Sequence, residues 1–425
     1  MPRLLYSLAL YLLMPLVLAR LLWRARRAPA YARRWGERLG FGPSLGRDRR
    51  VIWVHSVSVG ETLAALPLIR ELQRRYPEAR LVVTTMTPTG SERVRAALGD
   101  SVHHVYAPYD LPGAVNRFLD RVHPDLLVIM ETELWPNILA ACQRRGIAVI
   151  LANARLSARS AAGYRRLGPL TRGMMGQLAV VAAQTREDGE RFLGLGLPAE
   201  RLAVTGNIKF DFTIDDARRA RAEALGREWR GPGRRSVWLV ASTHRGEDGI
   251  VLDAFARVLE AHPRTLLVLV PRHPERFDEV ARLCAERGHR VARRGAGQVP
   301  GEDQQVLLGD TMGELPDFFG ACDLAFIGGS LVAVGGHNLI EPAAWGVPVL
   351  SGPSLHNFAE VASLLEAAGG MRVRGTAEDI AAEVVHLLAD GAERRLLGER
   401  ARAVAEANRG AMARLLAVIA RWWVR

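Results

Sequence analysis

Lysine is almost absent from this chain: of 57 basic side chains in 425 residues, only Lys209 is a lysine. Cysteine is scarce too. Cys142, Cys284 and Cys322 are odd in number and none has Cys-x-x-Cys spacing, which argues against a disulfide framework or structural zinc and for a reduced compartment. No Asp-x-Asp, no Walker A sequence and no short-period repeat occurs, so a P-loop ATPase or a fibrous repeat has no support. What is present is a globular composition, 49% hydrophobic and 24% charged with 41 Gly and 22 Pro. Extended disorder is excluded, and the length suits two or three domains.

Charge is lopsided along the chain. The formal +12 suggests a nucleic-acid binder, but residues 1–50 hold eleven arginines against Glu37 and Asp48, or +9 of the total. The remaining body is nearly neutral, so no nucleic-acid partner is expected. The excess adjoins an apolar run from Leu4 to Ala19. As a helix that run spans about 24 Å, short of a hydrocarbon core of about 30 Å. Arg20 can snorkel and Trp23 suits an interface, which extends the usable stretch to residue 23. One arginine precedes the run and a cluster follows it, placing the body on the cytoplasmic side of an inner membrane. A signal peptide would carry its charge before the run and a small-residue cleavage site after it, the reverse of what stands here. Residues 1–27 are therefore expected to form an uncleaved anchor with a basic flank on an anionic membrane surface. Spanning and interfacial insertion both remain open.

The body alternates short apolar runs with amphipathic stretches. Strands are expected at Val51–His55, Leu81–Thr85, Leu126–Met130, Val149–Ala152 and Val180–Ala183, then at Ser236–Ala241, Thr265–Val270, Leu324–Ile327 and Val347–Leu350. Such alternation predicts an α/β chain with two doubly wound parallel sheets. The expected divisions are 28–205, a junction at 206–234 around Gly231-Pro232-Gly233, 235–404, and a C-terminal helix at 405–425. Ligands are expected in a cleft at the carboxyl ends of the strands.

Several strand ends carry reactive groups. In VIWVHSVSVGE, Glu61 opens a helix, where a carboxylate is favoured electrostatically; it is also placed to act as a general base. In LVIMETELWPN, Glu131 and Glu133 follow an apolar strand directly. Acids there need partners or a function, unless the helix start simply leaves them solvated. A metal is not expected, since no His pair flanks them. Lys209 in GNIKFD is either chance or a site that needs a compact ammonium rather than a guanidinium. Ser242 to Glu247 and Pro271 to Pro274 place hydroxyl, imidazole and guanidinium donors where an anion could be held, or form solvated loops. Glycines at 328, 329, 335 and 336 precede His337, Asn338 and the helix start at Glu341-Pro342, an arrangement that admits a phosphate. Together these features indicate a membrane-anchored, two-domain enzyme for a nucleotide-linked substrate, with a lipid expected as its second substrate.

Taken in order, the anchor, HSVSVGE, METELWPN, GNIKFD, STHRGE, PRHPERF, GDTMGELPDFF and GGHNLIEPAAWG resemble the bacterial 3-deoxy-D-manno-octulosonate (Kdo) transferases of lipid A assembly. The likeness covers nearly the whole chain and implies the two-domain GT-B glycosyltransferase fold. It implies transfer of Kdo from CMP-Kdo to a lipid A precursor, with Glu61 as base and Glu131 and Lys209 assisting the transition state. CMP is then held by Arg272 and His273, by Met312, Gly313 and Glu314, and by Asn338, Leu339, Ile340 and Glu341. CMP-Kdo is a substrate, and neither a cofactor nor a metal is expected. A transferase using a UDP-sugar, a nucleotide-sugar epimerase and a degenerate binding scaffold are the rival readings.

Overall fold

The computed structural model describes residues 2–26 and 28–424. Met1, Arg27 and Arg425, and with them both ends of the expected 1–27 segment and the last residue of 405–425, lie outside the described residues. The chain forms two compact units, Met1–Asp211 with Gly410–Arg425, and Phe212–Arg409.

The first unit is built on seven parallel strands: β1 (Val51–His55), β2 (Arg80–Thr85), β3 (His103–Tyr106), β4 (Leu126–Met130), β5 (Ala148–Ala154), β6 (Val180–Ala183) and β7 (Leu202–Val204), in the order β3-β2-β1-β4-β5-β6-β7. Val54 lies opposite Val83 of β2 and Val128 of β4. The central strands are buried on both faces, which is why they read as continuous apolar runs rather than alternating ones. One face packs Trp53, Phe118, Leu127 and Phe192; the other packs Ile52, Leu68, Val128 and Ile150. The second face is completed by the C-terminal helix Ala411–Trp423, whose Leu415 and Ile419 are fully buried. Each such side chain contributes roughly 1.5–3 kcal/mol. The chain leaves this unit at Asp211, and the Asp211 carboxylate accepts hydrogen bonds from the backbone N–H groups of Gly410 and Met412 where it returns.

The helix Pro2–Ala25 has 24 residues and a mean hydropathy of 1.9 over its most apolar window, long and apolar enough to cross a membrane. Leu4, Leu5, Leu8, Leu12 and Leu16 are exposed. The inner side is pinned by polar groups: the Ser7 hydroxyl lies 3.1 Å from Asn137 Oδ1, and Tyr6 hydrogen-bonds Asp110. Part of the basic collar is internal. Arg38 is buried with its guanidinium 4.1 Å from the Tyr106 ring centre, and Arg34 pairs with Glu37.

The second unit repeats the plan with β8 (Val237–Thr243), β9 (Leu266–Pro271), β10 (Val291–Arg293), β11 (Val306–Leu308), β12 (Leu324–Ile327), β13 (Val349–Ser351) and β14 (Met371–Val373), in the order β10-β11-β9-β8-β12-β13-β14. Its core includes Trp238, Phe255, Leu269 and Phe326. The helix Asp216–Arg230 belongs to this unit, its Trp229 ring 5.1 Å from that of Phe318.

Candidate active site

In the first unit the strand order reverses direction between β1 and β4, the position where open parallel sheets bind ligands. Glu61 follows β1 there, in the first turn of the helix Val59–Arg75. Ser58 caps that helix: its Oγ accepts from Glu61 N–H at 3.1 Å and donates to Glu61 Oε1 at 2.7 Å, while Val57 N–H donates to Oε2 at 2.8 Å. This is a capping box shifted by one residue. Glu61 is buried, yet among the described residues no cation pairs with it.

Glu131 follows β4 with φ +56, an uncommon conformation for a non-glycine residue that costs roughly 1–2 kcal/mol. Its carboxylate is buried between two cations, Arg155 Nε at 2.9 Å and Lys209 Nζ at 3.6 Å. Lys209 sits in a short turn, Ile208–Phe210, capped by Asn207 and tied to β5 through Ile208 N–H donating to Asn153 Oδ1 at 3.1 Å. Glu133 accepts a hydrogen bond from Trp135 Nε1 at 3.0 Å. Burial pushes its carboxyl up, the Trp135 bond opposes that, and the charges of Glu61 and Glu131 add to the rise. The three acids are therefore electrostatic neighbours. Beneath them His55 is fully buried, its Nδ1 2.8 Å from Thr84 Oγ1, and burial pulls its pKa down to about 4.

The second unit reverses between β8 and β12. His244 follows β8, Arg272 and His273 follow β9, and Gly328 to His337 follow β12. Glu247 organises these turns. Its fully buried carboxylate accepts four backbone N–H groups, from His244 at 2.8 Å, Gly329 at 2.7 Å, Ser330 at 2.9 Å and Leu331 at 2.8 Å. Close approach demands Gly328, because a Cβ there would lie 2.9 Å from Ser242 O. Asp248 and Arg276 form a buried ion pair behind the turn.

Gly313 adopts φ +88 in the turn after β11, beside exposed Met312. Glu314 is held by Arg294 at 2.8 Å, which keeps its carboxyl below the ordinary range. Asn338 opens the helix Ile340–Trp345, accepting from Ile340 N–H at 2.9 Å and donating to Glu341 Oε1 at 2.9 Å. Burial pushes the Glu341 carboxyl up. Leu339 and Ile340 are buried whole, side chain and backbone alike.

Thus Glu61, Glu131 and Lys209 converge in the first unit, and Arg272 and His273 stand beside His244 and His337 in the second. The 312–314 and 338–341 turns share that sheet end, although among the described residues no hydrogen bond or ion pair joins Glu314 to the histidines. Sequence reasoning missed Arg155 as the partner of Glu131 and Glu247 as the acceptor that ties the turn after β8 to the turn after β12. Neither has a local signal. Arg155 is one arginine among many, and Glu247 looks like any acid in a first helical turn.

Two doubly wound parallel sheets of this kind define the GT-B class. The fold is shared, for example, with the UDP-GlcNAc 2-epimerase of Neisseria meningitidis bound to UDP-GlcNAc, at TM-score 0.55 and 16% identity over 87% of this chain and all of that one. Likeness at that level shows the architecture alone. Sequence carries the rest. Residues 33–212 match the family described as 3-deoxy-D-manno-octulosonic-acid transferase (kdotransferase). The chain is 43% identical to the 3-deoxy-D-manno-octulosonic acid transferase of Haemophilus influenzae over 97% of each chain. It is 40% identical to that of Bordetella pertussis over 98% of each. The chain belongs to the Kdo transferase family and is a glycosyltransferase.

Proposed function

We propose that the chain transfers Kdo from CMP-Kdo to a sugar hydroxyl of a lipid A precursor, the tetraacyldisaccharide 4'-phosphate, with inversion at the anomeric carbon. The observation that carries this reading is the contrast between Glu61 and Glu131. Glu131 is paired with Arg155 and Lys209, whereas among the described residues Glu61 is held by a hydroxyl and an amide donor. A carboxylate that is not committed to an ion pair has its oxygens available to accept the proton of a bound hydroxyl. Glu61 takes the proton of the acceptor hydroxyl, that oxygen bonds to the anomeric carbon, and the bond to the CMP phosphate breaks with its electron pair leaving on CMP. Glu131 orients Lys209, whose ammonium opposes negative charge on the donor. Arg272 and His273 meet the phosphate, with the 312–314 and 338–341 turns holding the remainder of CMP, so the proposed chemistry contains no metal and no cofactor.

The exposed leucine face of Pro2–Ala25 and the arginines after it support a single inner-membrane anchor with the body on the cytoplasmic face. Incubation with CMP-Kdo generated in situ and the tetraacyl precursor tests the function. The expected product is heavier by whole Kdo residues and of inverted anomeric configuration by NMR. Turnover of a UDP-sugar instead, or donor hydrolysis with no lipid product, overturns the reading.

A further inference from the structure

Two imidazoles that this chemistry leaves unused lie at the strand ends of β8 and β12. His244 Nε2 and His337 Nε2 are 2.8 Å apart, the rings nearly parallel at 8° with centroids 5.0 Å apart. At that separation one nitrogen carries the hydrogen and the other accepts it, because two lone pairs or two N–H groups would repel. The surrounding loop is shaped to the pair. Gly329 has φ +67, and a Cβ there would come within 2.8 Å of His337 and 3.5 Å of His244. The amide of Gly329 is itself held by Glu247.

The charges facing the pair are mostly positive. His273 packs edge-on against His244, centroids 5.1 Å apart. Arg272 and His273 act against a proton on either ring, and Arg276, although paired with Asp248, acts against one on His244. Glu247 favours a proton on His244, but its oxygens are already taken by four amides. Burial is the largest influence on both rings, lowering His244 and pulling His337 down to about 4. Both are therefore neutral near pH 7 while the site is empty of anions.

An anion reverses that balance. A negative charge within hydrogen-bond reach favours the protonated form of an imidazole and opposes the effect of burial. We propose that His244 and His337 bind the donor's phosphate as a unit: the hydrogen between their Nε2 atoms stays in place, and one proton is taken up from solvent at Nδ1 of the donating ring on donor binding, leaving the pair with a single positive charge. The stoichiometry is one rather than two, since a second proton would set two N–H groups against each other. The proposal rests on the reading that the second unit holds CMP.

Calorimetric titration of the full-length protein in detergent with CMP, at pH 7.5 in buffers of differing ionisation enthalpy, reads the proton directly. The expected slope is uptake of about one proton per CMP bound. In H244Q and H337Q the uptake falls toward zero and CMP binds about tenfold more weakly. Binding of CMP with no buffer dependence, or with unchanged uptake in H337Q, overturns the singly protonated pair and leaves the donor reading intact. Failure of CMP to bind the wild-type protein, with UDP binding instead, overturns the donor reading and the pair with it. The wild-type slope decides the matter even if a variant does not fold.

Discussion

The two units share one plan and carry opposite chemistry. Both are seven-stranded parallel sheets, and both place their reactive side chains where strand order reverses. At that point the first unit gathers Glu61, Glu131 and Glu133, with Lys209 and Arg155 as counter-charges. The second gathers His244, His273, His337 and Arg272, and turns the buried carboxylate of Glu247 inward onto backbone amides. The fold thus supplies an address, and the residues at the strand ends supply the reactivity. An acidic address suits removal of a proton; a cationic one suits a phosphate.

The sharpest way to break that contrast is to neutralise the acidic address. E61Q is expected to lose turnover by about 100- to 10,000-fold while CMP affinity stays within about a factor of two. Product mass and CMP titration read the two halves separately, and full activity removes the assignment of Glu61 as base. Disturbing the cationic address differs in kind. E247A leaves four buried backbone donors without an acceptor, so a stability loss of about 3 kcal/mol or more is expected together with loss of CMP binding. Thermal unfolding checks it, and an unchanged midpoint would show the loops are held otherwise.

A pH test shows where the units behave alike. His55 is buried with its pKa near 4, so the unfolded chain binds its proton first as pH falls below about 6.5. Stability present above that pH is then lost on acidification, by about 2 kcal/mol at pH 5. His337, also near 4, acts in the same direction. Denaturant midpoints at pH 7 and pH 5 should converge in H55N, and added CMP should reduce the loss arising from the second unit only. The smallest effect is expected at Lys209. K209R keeps the charge but not the compact ammonium 3.6 Å from Glu131, and a drop of about tenfold in turnover is expected. Wild-type rates in K209R would defeat the argument for a point charge.

Much of this was legible in the chain. The nine strands expected from apolar runs are all present, because each is buried on two faces and displays an uninterrupted hydrophobic stretch. Five others escape that test. Four of them, β3, β7, β10 and β14, are the sheet edges: His103, Arg293 and Arg372 interrupt the apolar signal in three, and β7 is only the three residues Leu202–Val204. The fifth, β11, is interior but only three residues long. At the sites, Glu131, Arg272 and His273 stood out because they directly follow strands, Glu61 because it opens a helix after one, and Lys209 because it breaks a compositional trend. Arg155, Glu247 and the His244–His337 pair did not, because their partners lie far away in sequence.

The sequence by itself determined the local facts. Apolar runs set the strands, Ser58 and Glu61 set a helix start, and an apolar stretch set the N-terminal helix Pro2–Ala25; each depends on neighbours within a few residues. Tertiary structure decided what those facts meet. Strand order brings Lys209 to Glu131, Glu247 to Leu331 and His337 to His244, and it carries the helix Ala411–Trp423 back onto the sheet that the chain left at Asp211. The reason is physical. Hydrophobic burial selects which segments enter a core without specifying which strand lies beside which, and the charges at strand ends acquire partners only once that order is set.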